Sequence, residues 1–250
     1  MSEELYQLAG KLRTSYHKNI NNTYIWSSLA RDAIALAAKD DEFLSTEKVQ
    51  VPSRRIGKKK TITRKKSDLI KILTSASNTD FNFSIHTYIV AQVEAFFSDL
   101  IKGVLRLDKR KLKTRVQGID YTKKIDVDLI LNSSSIEEVI EDLINKELSN
   151  IFYSSPEKQF EYLQRVVGIE VDEGIKKLFN QWKEYKAARD LIVHNHGIIN
   201  ETYLFKAGEN ARGSIGESVV ITDEYIDSLV AESKSLIGRV TSSLQRQNKV

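Results

Sequence analysis

The clearest pattern along the chain is a spacing of three and four residues between apolar positions, which indicates α-helix. It is strongest over residues 85–105, where apolar side chains fall on nearly every face of the expected helix. A helix that is apolar all round belongs at the centre of a bundle. A second long run begins near Val171 and is predicted to stop at Gly197, because glycine accepts the left-handed conformation that ends helices. The pattern predicts an all-α helical bundle with a central apolar helix.

Other segments complete the predicted bundle. The same spacing predicts helix over residues 3–40, with a break near residues 19–23, where Asn and Thr can cap a second piece. An Asn-Thr-Asp turn at 78–80 is expected to cap the central helix. Further helices are predicted to begin at or near Ser67, Ser135, Ser155 and Thr222.

Two places predict extended structure instead. Before Pro52 and after Gly57, apolar and polar residues alternate, which predicts a small hairpin within residues 47–66. Residues 203–205 and 219–221 flank a glycine-rich loop, and we expect them to form a short two-stranded ribbon.

Composition narrows the chemistry. A chain with 41% hydrophobic and 29% charged residues is globular, and the absence of cysteine excludes disulfides, thiolate zinc sites and a thiol nucleophile. There is no phosphate-loop motif and no Gly-x-Ser-x-Gly elbow, which argues against a nucleoside triphosphatase and a serine hydrolase. The first residues lack the pattern of a signal peptide, and charges interrupt the longest apolar run, so we expect a cytoplasmic protein without a membrane span.

The predicted hairpin carries a run of positive charge within a chain whose net charge is +4. One interpretation is a solvated loop that keeps the protein soluble. The other is a contact surface for the phosphate backbone of a nucleic acid, without much sequence preference because no aromatic residue interleaves the run. The candidate nucleic-acid-binding residues are Arg54, Arg55, Lys58, Lys59, Lys60 and Arg64.

Glu94 is the odd residue of the central helix. It is either a carboxylate at the edge of the bundle, satisfied by a basic partner, or a buried acid that orients Arg189 or His194. The second interpretation has weight because an unpaired buried charge costs several kcal/mol.

The end of the run that begins near Val171 holds the most reactive set of side chains. Asp190 and His194 are four residues apart, so they share a helix face, where the carboxylate can orient the imidazole. Arg189 is offset from His194 by about 140° on an ideal helix, yet both are long enough to reach one phosphate-sized ligand. Asn195 and His196 follow directly. His194 and His196 point in different directions on a helix, so we expect no metal site.

Arg189-Asp190, His194-Asn195 and the following Gly-Ile-Ile-Asn resemble the motif of the HEPN superfamily (higher eukaryotes and prokaryotes nucleotide-binding). That family carries an Arg, a polar neighbour, and a His four to six residues further on, at the end of a helix. The resemblance covers roughly residues 80–240, and the apolar helix with its internal Glu94 also fits the layout of the family. It implies one domain over 1–250, with N-terminal helices and a basic loop in 1–75 and a HEPN core in 76–250.

The resemblance to catalytic HEPN proteins implies a metal-independent endoribonuclease without a cofactor. His194 would then be the general acid or base, Arg189 would stabilise charge on the phosphate, Asp190 would orient His194, and Asn195 would donate to the same phosphate. Because one chain supplies one such His, the resemblance also implies a homodimer. Toxin–antitoxin and phage-defence systems, with a partner protein, are the settings it implies.

Three other hypotheses stay open at this stage. In the first hypothesis, the chain is a non-catalytic HEPN-like module that binds nucleotide or RNA, or a dimeric adaptor. Alternatively, the basic loop serves a DNA-binding regulator. In the last hypothesis, Arg189 and His194 have only a structural role at the end of the helix.

Glu94 and His196 are assigned supporting roles. Some toxins of the family have a Tyr two residues after the His, and this Tyr can be modified. This chain has His196 at that position, so we do not expect that mode of control.

Overall fold

The computed structural model describes residues 2–40, 42–44, 48–55, 58–121 and 127–249. It confirms an all-α bundle with one small hairpin. No helix in these ranges combines the length and the apolar character needed to cross a membrane. The regular elements in chain order are α1 (Ser2–Ala37), β1 (Lys48–Arg55), β2 (Lys58–Lys65), α2 (Lys66–Ser75), α3 (Phe81–Leu107), α4 (Val127–Asn132), α5 (Ile136–Tyr153), α6 (Pro156–Tyr162), α7 (Glu173–Asn195), α8 (Glu201–Ala207) and α9 (Asp223–Gln247).

The apolar helix α3 lies at the centre, as its sequence predicts. It packs against α1, α5, α7 and α9, and Phe96 and Leu100 are completely buried. An apolar stripe on every side can be removed from water only if other helices surround it, and this is why α3 takes the central place.

The predicted break in the first helix is wrong, because α1 runs without interruption through residues 19–23. Thr23 does not cap a new helix; its hydroxyl donates to the carbonyl oxygen of Asn19 at 2.9 Å and accepts from Gln92 of α3. Ile20 is fully buried where α1 packs along α3 and α9. This packing outweighs the local preference of Asn and Thr for caps.

The predicted turn and cap at 78–80 is also wrong. A π-helical turn, Ala76–Asp80, joins α2 directly to α3, and Asp80 has helical backbone angles with no capping bond. Its carboxylate instead accepts from the hydroxyl of Ser75 at 3.1 Å, back across the turn. The helical path therefore continues where the sequence suggested a stop.

Helix starts were predicted more accurately. Ser135 caps α5, Pro156 is the first residue of α6, and Thr222 caps α9 by accepting from the backbone amide of Tyr225. The hairpin is confirmed as well, with β1 and β2 antiparallel and Val51 opposite Ile62.

The predicted ribbon beside the glycine-rich loop is wrong in its first half, because residues 201–207 form α8. Asn200 decides this: its side-chain oxygen accepts from the amide of Tyr203 at 2.9 Å, which is an N-cap. A single bridge between Ile198 and Ser218 is the pairing found near this loop in the described chain.

Helix α7 ends one residue earlier than predicted. His196 takes the left-handed position with φ 52°, and Gly197 follows with φ 77°. Gly197 remains important at this end of the helix, because an added Cβ would lie 2.9 Å from the ring of Phe83.

Candidate functional site

A cleft of about 1130 Å³ opens between α3, α7, α8 and the junction of α5 with α6. Four residues singled out in the sequence line it: Glu94, Arg189, Asp190 and His194. The sequence places them on two helices, and the packing of α7 against α3 brings them to one surface.

Arg189 is held at the wall of the cleft by two carboxylates. One terminal nitrogen (Nη2) donates to Glu94 Oε2 at 2.6 Å, and the other (Nη1) lies 3.3 Å from Asp190 Oδ1. Only 23% of its side chain is exposed, and its Nε is buried without a partner in the described structure. The planar fork of the guanidinium is thus fixed in direction before any ligand arrives.

Glu94 fits both interpretations weighed from the sequence. It is satisfied by basic partners, because Lys186 Nζ donates to its second oxygen at 2.5 Å, and it orients Arg189, although not His194. Lys186 was not singled out beforehand. It lies one helical turn before Arg189, so both cations reach the same carboxylate on α3.

His194 is exposed in the cleft and makes no hydrogen bond within the described chain. The expected hydrogen bond from the His194 imidazole to the Asp190 carboxylate is not formed. The carboxylate of Asp190 instead accepts from Lys206 Nζ at 3.1 Å and faces Arg189. Lys206 belongs to α8, which the sequence placed in a strand, so its position could not be foreseen.

Asn195 and His196 lie outside the lining of the cleft. The amide of Asn195 donates to the carbonyl oxygen of Ile198, which ties the turn after α7, and His196 supplies the left-handed end of the helix. Neither residue lines the cleft that Arg189 and His194 share, so the structure gives both a part in shaping the helix end.

None of the described residues of the basic hairpin lines the cleft. Arg64 is exposed on β2. The backbones of the other five candidate residues lie in the two strands, but their side chains fall outside the described part of the structure. They are Arg54, Arg55, Lys58, Lys59 and Lys60.

Behind the cleft, a buried carboxylate joins α7 to α8 and α9. Glu184 has no exposed surface, and it accepts from the hydroxyls of Tyr203 and Tyr225 at 2.8 and 2.7 Å and from Arg212 Nε at 3.0 Å. Burial, followed by the nearby Glu184 charge, raises the pKa of Tyr203 to about 12, so this phenol remains a donor. The network fixes α8 and hence Lys206. No sequence spacing indicated it.

His86 of α3 packs beside this network, against the rings of Tyr185 and Tyr225. It is completely buried, and neither ring nitrogen has a hydrogen-bond partner in the described structure. Burial, with smaller contributions from Arg212 and Arg189, lowers its pKa to about 3.

This buried imidazole makes stability fall in acid. Below about pH 6.5 the unfolded chain protonates His86, while the folded chain keeps it neutral down to about pH 3, so the unfolded state binds more protons in this window. We expect the free energy of unfolding to decrease by up to about 1.4 kcal/mol per pH unit from this group. A His86→Leu variant should lack this part of the slope in urea unfolding measured from pH 7 to 4, whereas His194→Ala should keep it. Equal slopes for His86→Leu and the natural chain would contradict the burial argument.

Comparison with protein-family models, with curated proteins and with solved structures gives no match to this chain. Assignment of a function therefore depends on the geometry of the cleft and on the resemblance of residues 189–200.

Proposed function

We propose that this protein is a metal-independent endoribonuclease of the HEPN type. The observation that supports the proposal is that Arg189 and His194 line the same solvent-accessible cleft, where two carboxylates orient Arg189 and His194 has no hydrogen-bond partner among the described residues. Cleavage by an internal hydroxyl can use such an imidazole as the acid or base and such a guanidinium to stabilise negative charge on the phosphorane.

In the proposed reaction, the 2′-hydroxyl of RNA attacks the adjacent phosphorus and loses its proton to a base. The bond from phosphorus to the 5′-oxygen breaks, and that oxygen takes a proton from an acid. The products are a 2′,3′-cyclic phosphate and a 5′-hydroxyl. His194 exchanges one of these protons, and Arg189 stabilises the negative charge on the phosphorane oxygens.

Arg189 keeps its place between Glu94 and Asp190, and a phosphate oxygen has to replace one of these carboxylates as an acceptor for part of its fork. The ion pairs permit this, because Lys186 shares Glu94 and Lys206 shares Asp190, so neither carboxylate depends on Arg189 alone. A phosphate oxygen therefore competes with carboxylates that already have a second cation.

A second histidine is needed if one imidazole gives a proton while another takes one. Among the described residues that line the cleft, His194 is the one histidine. We therefore propose a homodimer in which the clefts of two copies face each other. Light scattering in solution should give twice the mass of the 28.5 kDa chain, and a purely monomeric enzyme would contradict the two-histidine arrangement.

The decisive experiment is incubation of the purified protein with a single-stranded RNA in the presence of a chelator. Cleavage that leaves cyclic phosphate and 5′-hydroxyl ends supports the proposal. Products with 3′-hydroxyl and 5′-phosphate ends, or cleavage that stops when the chelator is added, would contradict the proposed mechanism.

The alternative is a non-catalytic module that binds RNA or nucleotide, or acts as an adaptor. It is favoured by the engagement of Arg189 with two carboxylates, an arrangement that also stabilises a purely structural arginine. Saturable RNA binding with no cleavage, unchanged in His194→Ala, would support this alternative over the enzyme.

Two aromatic rings at the mouth of the cleft suggest how RNA is held. Tyr153 at the end of α5 and Phe205 on α8 are 90% and 89% exposed, although both line the cavity. The cationic and acidic side chains of the cleft balance in number, with Lys183, Lys186, Arg189 and Lys206 opposite Glu94, Glu157, Asp190 and Glu201. Stacking of unpaired bases on these rings would therefore contribute much of the affinity.

We expect Phe205→Ala and Tyr153→Ala each to weaken binding of single-stranded RNA by about tenfold, since a base stacked on a ring is worth roughly 1–3 kcal/mol. Tyr153→Phe keeps the ring and should bind normally. Tyr88→Ala is the matched control, because Tyr88 is 52% exposed on α3 but does not line the cleft. Fluorescence anisotropy with a labelled oligonucleotide measures the effect, and equal affinities for all four variants would exclude stacking.

A further inference from the structure

A second concave site lies on another part of the bundle, between α1 and α9 beside the start of α7. Its volume is about 560 Å³, within the range of pockets that hold small ligands. It shares no lining residue with the cleft that contains Arg189.

Positive charge dominates this pocket. Arg13 of α1 and Lys234, Arg239 and Arg246 of α9 line it, and Asp172 is the one carboxylate among the described lining residues. The first cleft, by contrast, has equal numbers of cationic and acidic side chains. Four cations that converge on a concave surface repel one another and create a local potential that attracts an anion.

The single carboxylate is already engaged. Asp172 Oδ1 accepts from the backbone amide of Ile175 at 2.7 Å, which caps α7, and its Oδ2 lies 3.6 Å from Arg239. Within the described structure, the other cations contact only neutral oxygens or have no polar partner: Lys234 donates to the side-chain oxygen of Asn21, and Arg13 lies 3.4 Å from Ser242 Oγ. Their charges are therefore available to a ligand.

His17 provides an internal reporter of that potential. Its Nε2 lies 2.8 Å from the carbonyl oxygen of Lys234, so this nitrogen carries the hydrogen and Nδ1 is the one that can gain a proton. Burial lowers the pKa of His17, the bond to the carbonyl of Lys234 opposes this, and the charges of Arg13 and Lys234 lower it further. An anion bound among these cations would reverse the last contribution.

We propose that this pocket binds a ligand with adjacent phosphate groups. Arginine forks match phosphate oxygens in pairs, and a compact ammonium such as that of Lys234 adds a point charge. Four cations around one pocket match the charge of a ligand with several phosphates better than that of a ligand with one carboxylate. A free polyphosphate and a nucleic-acid backbone share this chemistry. The inference does not depend on the proposed ribonuclease activity.

The test uses the full chain and inorganic tripolyphosphate, with binding measured by calorimetry at low salt. We expect saturable binding that weakens at least tenfold in the double variant Arg13→Gln and Arg246→Gln. Both side chains are exposed, so these changes leave the core intact. Arg165→Gln, another exposed arginine outside the pocket, is the control and should bind as the natural chain does.

Titration of the His17 imidazole by nuclear magnetic resonance gives an independent readout. Tripolyphosphate should raise the pH at which His17 protonates in the natural chain but not in the double variant. Absence of saturable binding at millimolar tripolyphosphate, or equal affinity of the double variant, would overturn the proposal.

A competition experiment identifies the source of the phosphates. If a single-stranded RNA displaces tripolyphosphate and the double variant loses affinity for both, the natural ligand is a nucleic-acid backbone. If a nucleoside triphosphate displaces it while RNA does not, the ligand is a free polyphosphate. Both results support the pocket, and neither requires RNA cleavage, so the pocket and the ribonuclease can fail separately.

Discussion

Replacing His194 with alanine is expected to lower the rate of RNA cleavage by a factor of about 10² to 10⁴, the usual contribution of a positioned acid or base. Arg189→Ala should cost a factor of about 10² to 10³, because a fixed donor to developing negative charge contributes roughly 3 to 4 kcal/mol. The two losses should not add, since both groups act on one phosphate. Single-turnover cleavage of a defined oligonucleotide measures the two single variants and the variant that combines them.

The matched control for His194→Ala is His196→Asn. His196 is also an exposed histidine, but it does not line the cleft, and Asn tolerates its left-handed backbone better than Ala does. This variant should cleave at the natural rate. An active His194→Ala enzyme, or an inactive His196→Asn enzyme with a normal fold, would show that the wrong histidine has been assigned.

The second large effect concerns stability rather than chemistry. Glu184→Ala should lower the free energy of unfolding by about 3–5 kcal/mol, the usual cost of removing one partner from a buried ion pair. The change leaves the guanidinium of Arg212 without its carboxylate and removes the acceptor of the hydroxyls of Tyr203 and Tyr225. Urea unfolding at neutral pH measures the loss.

Glu173→Ala on the same helix is the control, because its side chain is 87% exposed and should change stability by less than about 0.5 kcal/mol. Tyr203→Phe should cost only about 2 kcal/mol, since it removes two hydrogen bonds, one to Glu184 and one from the backbone amide of Arg212, and leaves the ion pair. If the Glu184→Ala variant unfolds at the same urea concentration as the natural chain, the buried network does not hold α8 in place. The position of Lys206 would then need another explanation.

The class of fold and most of the helix starts could be predicted from residues that are neighbours in the chain. Apolar residues every three or four positions place α3 at the centre, and the side chains of Ser135 and Thr222 decide locally where α5 and α9 begin. Such signals are readable because a cap or an amphipathic stripe depends on residues that are neighbours in the chain. The motif around Arg189 and His194 can be recognised for the same reason, because its residues lie close together in the chain.

Local signals failed where packing was stronger. The Asn and Thr residues at 19–23 favour a cap, yet burial of Ile20 against other helices keeps α1 continuous. In the segment at 203–205, the apolar run resembles a strand, but the cap by Asn200 and the buried bond from Tyr203 to Glu184 make it a helix.

Contacts between side chains that are far apart in the chain could not be predicted in this way, because they depend on the packing of the helices. Glu94 lies 95 positions from Arg189 in the chain, and the packing of α3 on α7 joins them at 2.6 Å. The packing of the helices likewise places Lys206, and not His194, within hydrogen-bond distance of Asp190. It also brings Arg13 and Arg246, from opposite ends of the chain, to one pocket. These contacts depend on how helices cross and on which face each one buries, and no spacing within a single helix encodes either.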